Sequence, residues 1–95
     1  MKFKTDDIVK VKENLVSDVY DDLFFPPEMI RFCGHKFIIE YTIGRKYILK
    51  PIPRKRYPKG VRADICWYYF NDEMLVQPYV DELSEFLRKE VICTK

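Results

Sequence analysis

The chain is 95 residues long, room for one small domain and no second core. Apolar residues make up 47% and aromatics 16%, enough large side chains to close a core, while 17 basic against 15 acidic residues leave only +2 and exclude a disordered charged tail. Three glycines and six prolines exclude collagen-like and linker-like sequence.

The first element predicted is a strand over Asp7–Glu13, where Val9 and Val11 alternate with polar residues as in a half-buried strand. A long connection over Asn14–Phe25 follows, carrying Asp18, Asp21 and Asp22 beside Tyr20, Phe24 and Phe25. Pro26-Pro27-Glu28 opens one or two helical turns through Phe32, because proline suits a first turn and an acid there suits the helix dipole. Cys33-Gly34 ends them.

Lys36–Thr42 and Lys46–Lys50 are rich in β-branched and aromatic residues and flank the turn Ile43-Gly44-Arg45, which predicts a hairpin. Pro51-Ile52-Pro53 leaves the sheet, and a basic loop runs from Arg54 to Arg62. Asp64–Phe70 is expected to be the most aromatic strand. Asn71–Met74 reads as a turn and Leu75–Gln77 as a closing strand. From Pro78 the period changes: Val80, Leu83, Leu87 and Val91 fall at helical spacing among Asp81, Glu82, Glu85, Arg88 and Lys89. The expected fold class is therefore mainly β: a five-stranded small barrel over residues 1–77, with a short helix in its first long loop and a C-terminal amphipathic helix over 78–95 packed on or appended to it.

The order of residues resembles the Src-homology-3-like (SH3-like) small barrels of bacteria and their phages. Such proteins begin with a Phe-x-x-Gly-Asp-x-Val-x-Val strand, continue with a Met before Gly-Lys-x-x-x-Ile, then Tyr-x-Leu, and finish with Trp-x-Phe-x-x-Glu-Met-Leu. Phe3, Asp7, Val9, Val11, Met29, Gly34, Lys36, Ile39, Tyr47, Leu49, Trp67, Phe70, Glu73, Met74 and Leu75 match. Asp6 stands where the family usually has Gly, and the basic insertion and terminal helix are additions. The resemblance covers about residues 3–76 and implies an SH3-like binding module, in a phage or mobile-element setting a host-interaction or anti-defence factor. Function then lies in the additions, since the barrel alone hosts many activities.

An enzyme is not expected. His35 is the single histidine and no motif assembles it with a nucleophile; a strand-entry turn accounts for it. Ser84 is accounted for by a solvated helix face. No phosphate loop, metal-ligand spacing or cofactor motif is present, and Cys33, Cys66 and Cys93 are read as reduced thiols of a cytoplasmic protein, the first two as small core residues. No signal-like run follows Lys2 and Lys4, and no stretch has bilayer-spanning length.

Charge placement is more informative. The window Arg45–Arg62 holds eight basic residues and no acid, so the rest of the chain carries −6. Arg54, Lys55, Arg56, Lys59 and Arg62 with Tyr57 form a candidate partner-binding loop: cations for a phosphate backbone or an acidic protein, and a ring for bases. The plainer reading is a solvated loop. Dense acids elsewhere, Asp18, Asp21, Asp22, Glu28, Asp72, Glu73 and the last quarter of the chain, confine any nucleic-acid footprint and suit a charged protein partner better. Along one strand Trp67 and Tyr69 face opposite to Tyr68 and Phe70. One set is expected under the terminal helix, or Tyr20, Trp67 and Tyr69 line an aromatic groove for a peptide. The first function expected is thus protein binding and the second nucleic-acid binding through residues 54–62. Pairing of the terminal helix with its copy in a homodimer is a third, structural reading.

Overall fold

The computed structural model describes residues 2–78. The expected C-terminal helix, with its apolar stripe, Ser84 and Cys93, lies beyond Pro78 and outside the described residues, as does the homodimer contact expected of it.

Seven short strands form: β1 (Ile8–Val11), β2 (Asp18–Tyr20), β3 (Leu23–Phe25), β4 (Lys36–Ile43), β5 (Lys46–Lys50), β6 (Tyr69–Phe70) and β7 (Leu75–Val76). Five make one antiparallel sheet in the order β6-β5-β4-β1-β7, and β2 pairs with β3 as a separate hairpin. The mainly β architecture is as expected. The closed barrel is not formed: β6 and β7 are the two ends of the sheet and do not pair with each other. At two residues each, they offer too few ladder bonds to close it.

Burial of alternate side chains explains the sheet. Val9 and Val11 of β1, Phe37 and Ile39 of β4, Tyr47 and Leu49 of β5, Phe70 and Leu75 are all fully or almost fully buried on one face. Val9 stands opposite Phe37, Val11 opposite Leu75 and Tyr47 opposite Phe70, so the apolar positions meet across the ladder. Between β4 and β5 the register shifts at Ile39/Tyr41, a bulge that leaves Glu40 as the extra residue.

Turn chemistry follows the residues available. The Ile43–Lys46 hairpin turns through Gly44 at φ +58 and Arg45, the two-residue class that wants glycine first. The connection expected to be irregular over Asn14–Phe25 is a second hairpin, turning through Asp21 (φ +46) and Asp22 (φ +66), since aspartate tolerates the left-handed region better than most residues. Asp6 also takes φ +74, the conformation that glycine would adopt most readily, and its N–H reaches the Ile39 carbonyl at 2.8 Å. Asn71 ties the separate hairpin to the sheet: its Nδ2 donates to the Tyr20 carbonyl at 2.6 Å and its Oδ1 accepts the Glu73 N–H at 3.1 Å.

The turns over Pro27–Phe32 form a 3₁₀ helix with proline in the first turn, close to expectation, and bury Met29 and Phe32. The strand expected over Asp64–Phe70 is different. Val61–Asp64 is one α-helical turn (α1), Ile65–Trp67 continues as a 3₁₀ turn, and only Tyr69 and Phe70 join the sheet. Val61 and Ile65 are both buried while Ala63 between them is exposed, which a helical turn allows and a strand, lining 61, 63 and 65 on one face, would not. Arg31 fastens this turn to the 3₁₀ helix by an ion pair with Asp64 at 2.7 Å. Cys33 is half-buried against the core and burial pushes its thiol pKa up, whereas Cys66 is exposed, contrary to its expected core role.

Tyr47 links the sheet to both ends of the described chain. Its hydroxyl donates to the Asp72 carboxylate and accepts the Phe3 N–H at 3.1 Å, and the Lys2 N–H also reaches Asp72. Burial, and then the hydrogen bond to Asp72, push its pKa from the ordinary 10.0 up to about 12. A phenol that holds its proton more tightly when folded stabilises the fold below pH 10. That contribution, of order 2 kcal/mol, is lost as pH rises from 10 through 12. Urea midpoints should therefore fall steeply across this window in the wild type and less in Tyr47→Phe.

Candidate partner-binding site

The basic loop is ordered by its own polar groups. Arg62 Nη2 donates to the carbonyls of Lys55 at 2.8 Å and Ile52 at 3.2 Å, closing the loop on itself. Tyr57 is its anchor. The phenol oxygen accepts the Ile52 N–H at 2.9 Å and donates to the Lys36 carbonyl at 2.6 Å. Its ring stacks on Phe37 at 5.0 Å with 3° between planes, and the Arg62 guanidinium lies 5.6 Å from the ring centroid. Burial pushes the Tyr57 pKa up, opposed by the nearby Arg62 charge. Tyr57, expected as a ring for bases, thus has its ring stacked on Phe37 and its hydroxyl bonded within the fold. Arg62 is likewise occupied by the loop's carbonyls. Arg54, at φ +67, Arg56 and Lys59 are exposed, and Lys55 is half-buried.

The three aromatics expected to line a groove fall into two environments. Tyr20 is half-buried: its ring packs edge-on against Phe25 at 6.0 Å, and its hydroxyl exchanges hydrogen bonds with the Val16 backbone at 2.9 and 3.1 Å. Trp67 is 76% exposed and Tyr69 44% exposed, while Tyr68 and Phe70 turn to the core and meet Phe32 at 5.4 and 6.1 Å. The opposed facing of these residues is as expected, although Trp67 gains its exposure from a 3₁₀ turn and not from a strand. At the corner between the β2-β3 hairpin and β5 a depression of about 190 Å³ is lined by Asp21, Asp22, Leu23, Arg45, Lys46 and Asn71, so charged groups, not aromatic rings, form its walls.

A further surface escaped the sequence reading. Simple alternation from Phe37 and Ile39 puts Tyr41 and Ile43 inside. The bulge at Glu40 shifts the phase by one, and both turn to the outward face, 48% and 52% exposed. There Tyr41 stands opposite Ile48 of β5, and Ile48 opposite Tyr69 of β6. Tyr41 and Tyr69 thus flank Ile48, which is itself buried at 5% exposure, and the Lys46 ammonium lies 5.2 Å from the Tyr69 ring centroid. No signal in the sequence marks the extra residue. It is visible only once β4 is paired.

His35 sits at strand entry, as expected, with its N–H on the Phe32 carbonyl at 3.2 Å and its carbonyl accepting the Val11 N–H at 3.0 Å. Among the described residues no group of three or more His, Cys, Asp or Glu side chains is placed to hold a metal ion, and no helix is long and apolar enough to cross a membrane. No family model matches the chain, and no match was found among the curated proteins or the solved structures.

Proposed function

We propose that this chain is a non-enzymatic SH3-like module that binds a protein partner through the exposed aromatic surface at β6. The SH3-like part of the reading is supported by the sheet order, by the hairpin inserted between the first and second sheet strands, and by the burial of Phe3, Val9, Val11, Met29, Ile39, Tyr47, Leu49, Phe70, Met74 and Leu75 in one core. Asp6 adds to it, since its left-handed backbone suits the glycine that the family carries there.

The observation that carries the binding reading is Trp67, a large apolar side chain left 76% exposed two residues ahead of the exposed Tyr69. Large aromatic side chains left exposed are the usual anchors of an interaction site. Trp67→Ala is expected to leave stability within about 0.5 kcal/mol of the wild type, as a surface substitution does, and to weaken partner binding about tenfold or more. Urea denaturation and affinity selection from a displayed peptide library, run on both proteins, measure the two. A Trp67→Ala protein that selects the same peptides with the same strength overturns the reading.

The second reading, nucleic acid on the loop 54–62, is favoured by the exposed cations Arg54, Arg56 and Lys59. With Tyr57 and Arg62 engaged in the fold it keeps phosphate contacts and loses its base platform, so it requires steeply salt-dependent binding without sequence preference.

A further inference from the structure

The outward side of the sheet has an unusual charge pattern. In a sheet with one face on the core the other face is ordinarily polar with both signs of charge. Here the outward positions are Ile8 and Lys10 on β1, Lys36, Ile38, Tyr41 and Ile43 on β4, Lys46, Ile48 and Lys50 on β5, Tyr69 on β6 and Val76 on β7. Apolar and cationic side chains occupy all of these described strand positions, and Glu40 is the bulged residue between Ile39 and Tyr41.

Lys10 pairs with Glu13 at 2.8 Å, so the β1 half of this face is internally balanced. The β4-β5-β6 half differs. Lys46 lies over the Tyr69 ring, and Lys50 ends the strand from which the chain runs into Arg54 and Arg56. The 3₁₀ turn bearing Trp67 packs alongside β5 at the same end of the sheet. Asp21 and Asp22 line the same depression as Lys46 and Arg45.

Resting on the protein-binding reading above, we propose that the partner segment is acidic and lies on the outward face of β4, β5 and β6, its apolar side chains on Tyr41, Ile43 and Tyr69 and its carboxylates at Lys46 and Lys50. Two physical features select this occupant. The aromatic row, Tyr41 and Tyr69 on either side of the buried Ile48, supplies exposed apolar area at two points about two strand separations, roughly 10 Å, apart, which suits side chains projecting from one face of an extended or helical segment. Lysines interleaved with that row reject a basic segment by like-charge repulsion and draw an acidic one toward it, setting partner choice. The positive pole of the molecule, and not its acidic remainder, is then the side that meets the partner.

The test is selection by the full chain from an unbiased displayed peptide library, followed by titration of the enriched synthetic peptides using the emission of Trp67, the only tryptophan. Acid-rich peptides should be enriched and should blue-shift the emission. Their affinity should fall with added salt and drop about tenfold in Lys46→Glu and in Lys50→Glu. Thermal melts establish that both variants remain folded. Tyr41→Ala, on the exposed face, provides an independent variant expected to weaken binding without reversing charge. Enrichment of neutral or basic peptides, or of acidic ones indifferent to these substitutions, overturns the acidic-partner assignment and leaves the binding module standing. Failure to enrich any peptide overturns the module itself. A single-stranded oligothymidylate that binds more tightly than the best peptide, and is weakened by the same substitutions, assigns the face to nucleic acid instead.

Discussion

Phe32→Ala is expected to destabilise the domain by about 3–5 kcal/mol, a large share of the roughly 5–15 kcal/mol that holds a small domain together. Phe32 ends the 3₁₀ helix and is fully buried. Its ring meets Phe37 of β4 at 6.2 Å and Phe70 of β6 at 6.1 Å, both edge-on, and Tyr68 at 5.4 Å, so one side chain joins the long loop, the middle of the sheet and its short edge strand β6. Truncation removes the transfer free energy of the ring and opens a cavity whose walls belong to three elements, none free to collapse without moving the others. Urea unfolding read by circular dichroism gives the size of the effect. A loss below about 1.5 kcal/mol would mean that the surrounding rings repack and that this contact is not the centre of the core.

Tyr57→Ala is expected to cost about 3 kcal/mol, and Tyr57→Phe about 1–2 kcal/mol. The alanine removes the stack on Phe37 and the hydroxyl together. The phenylalanine keeps the ring and leaves the Ile52 N–H and the Lys36 carbonyl without the partner that holds the basic loop to β4. In both variants the amides of residues 54–60 should exchange with solvent faster, since Arg62 alone then closes the loop. This outcome separates a folding role from the base-stacking role read from the sequence. A tyrosine that waits for a ligand could be removed with stability unchanged.

Much of the fold was legible because burial and strand period coincide. Val9 and Val11 mark β1, the Gly44-Arg45 turn marks the β4-β5 hairpin, and proline at the start of the 3₁₀ helix marks its first turn. Two elements differ from the sequence expectation, each for its own reason. Residues 64–70 look like a strand because they are aromatic and β-branched, yet Val61 and Ile65 are buried with Ala63 exposed between them, the pattern of a helical turn ahead of Tyr69. The hairpin β2-β3 was missed because its turn is made by two aspartates in the left-handed region, a place where glycine or asparagine is the usual sign.

By itself the sequence determined the balance of charges, the concentration of cations between Arg45 and Arg62, and the alternation that makes most of the sheet, because these depend only on residue type and local spacing. Which of those cations and rings are free for a partner was decided by the tertiary structure. Tyr57 and Arg62 are drawn into the fold by carbonyls and a ring distant in sequence, while one extra residue at Glu40, fixed by pairing with β5, turns Tyr41 and Ile43 outward to join Tyr69 and Lys46. A shift of one residue in a strand exchanges its two faces, and only the partner strand settles where that shift falls.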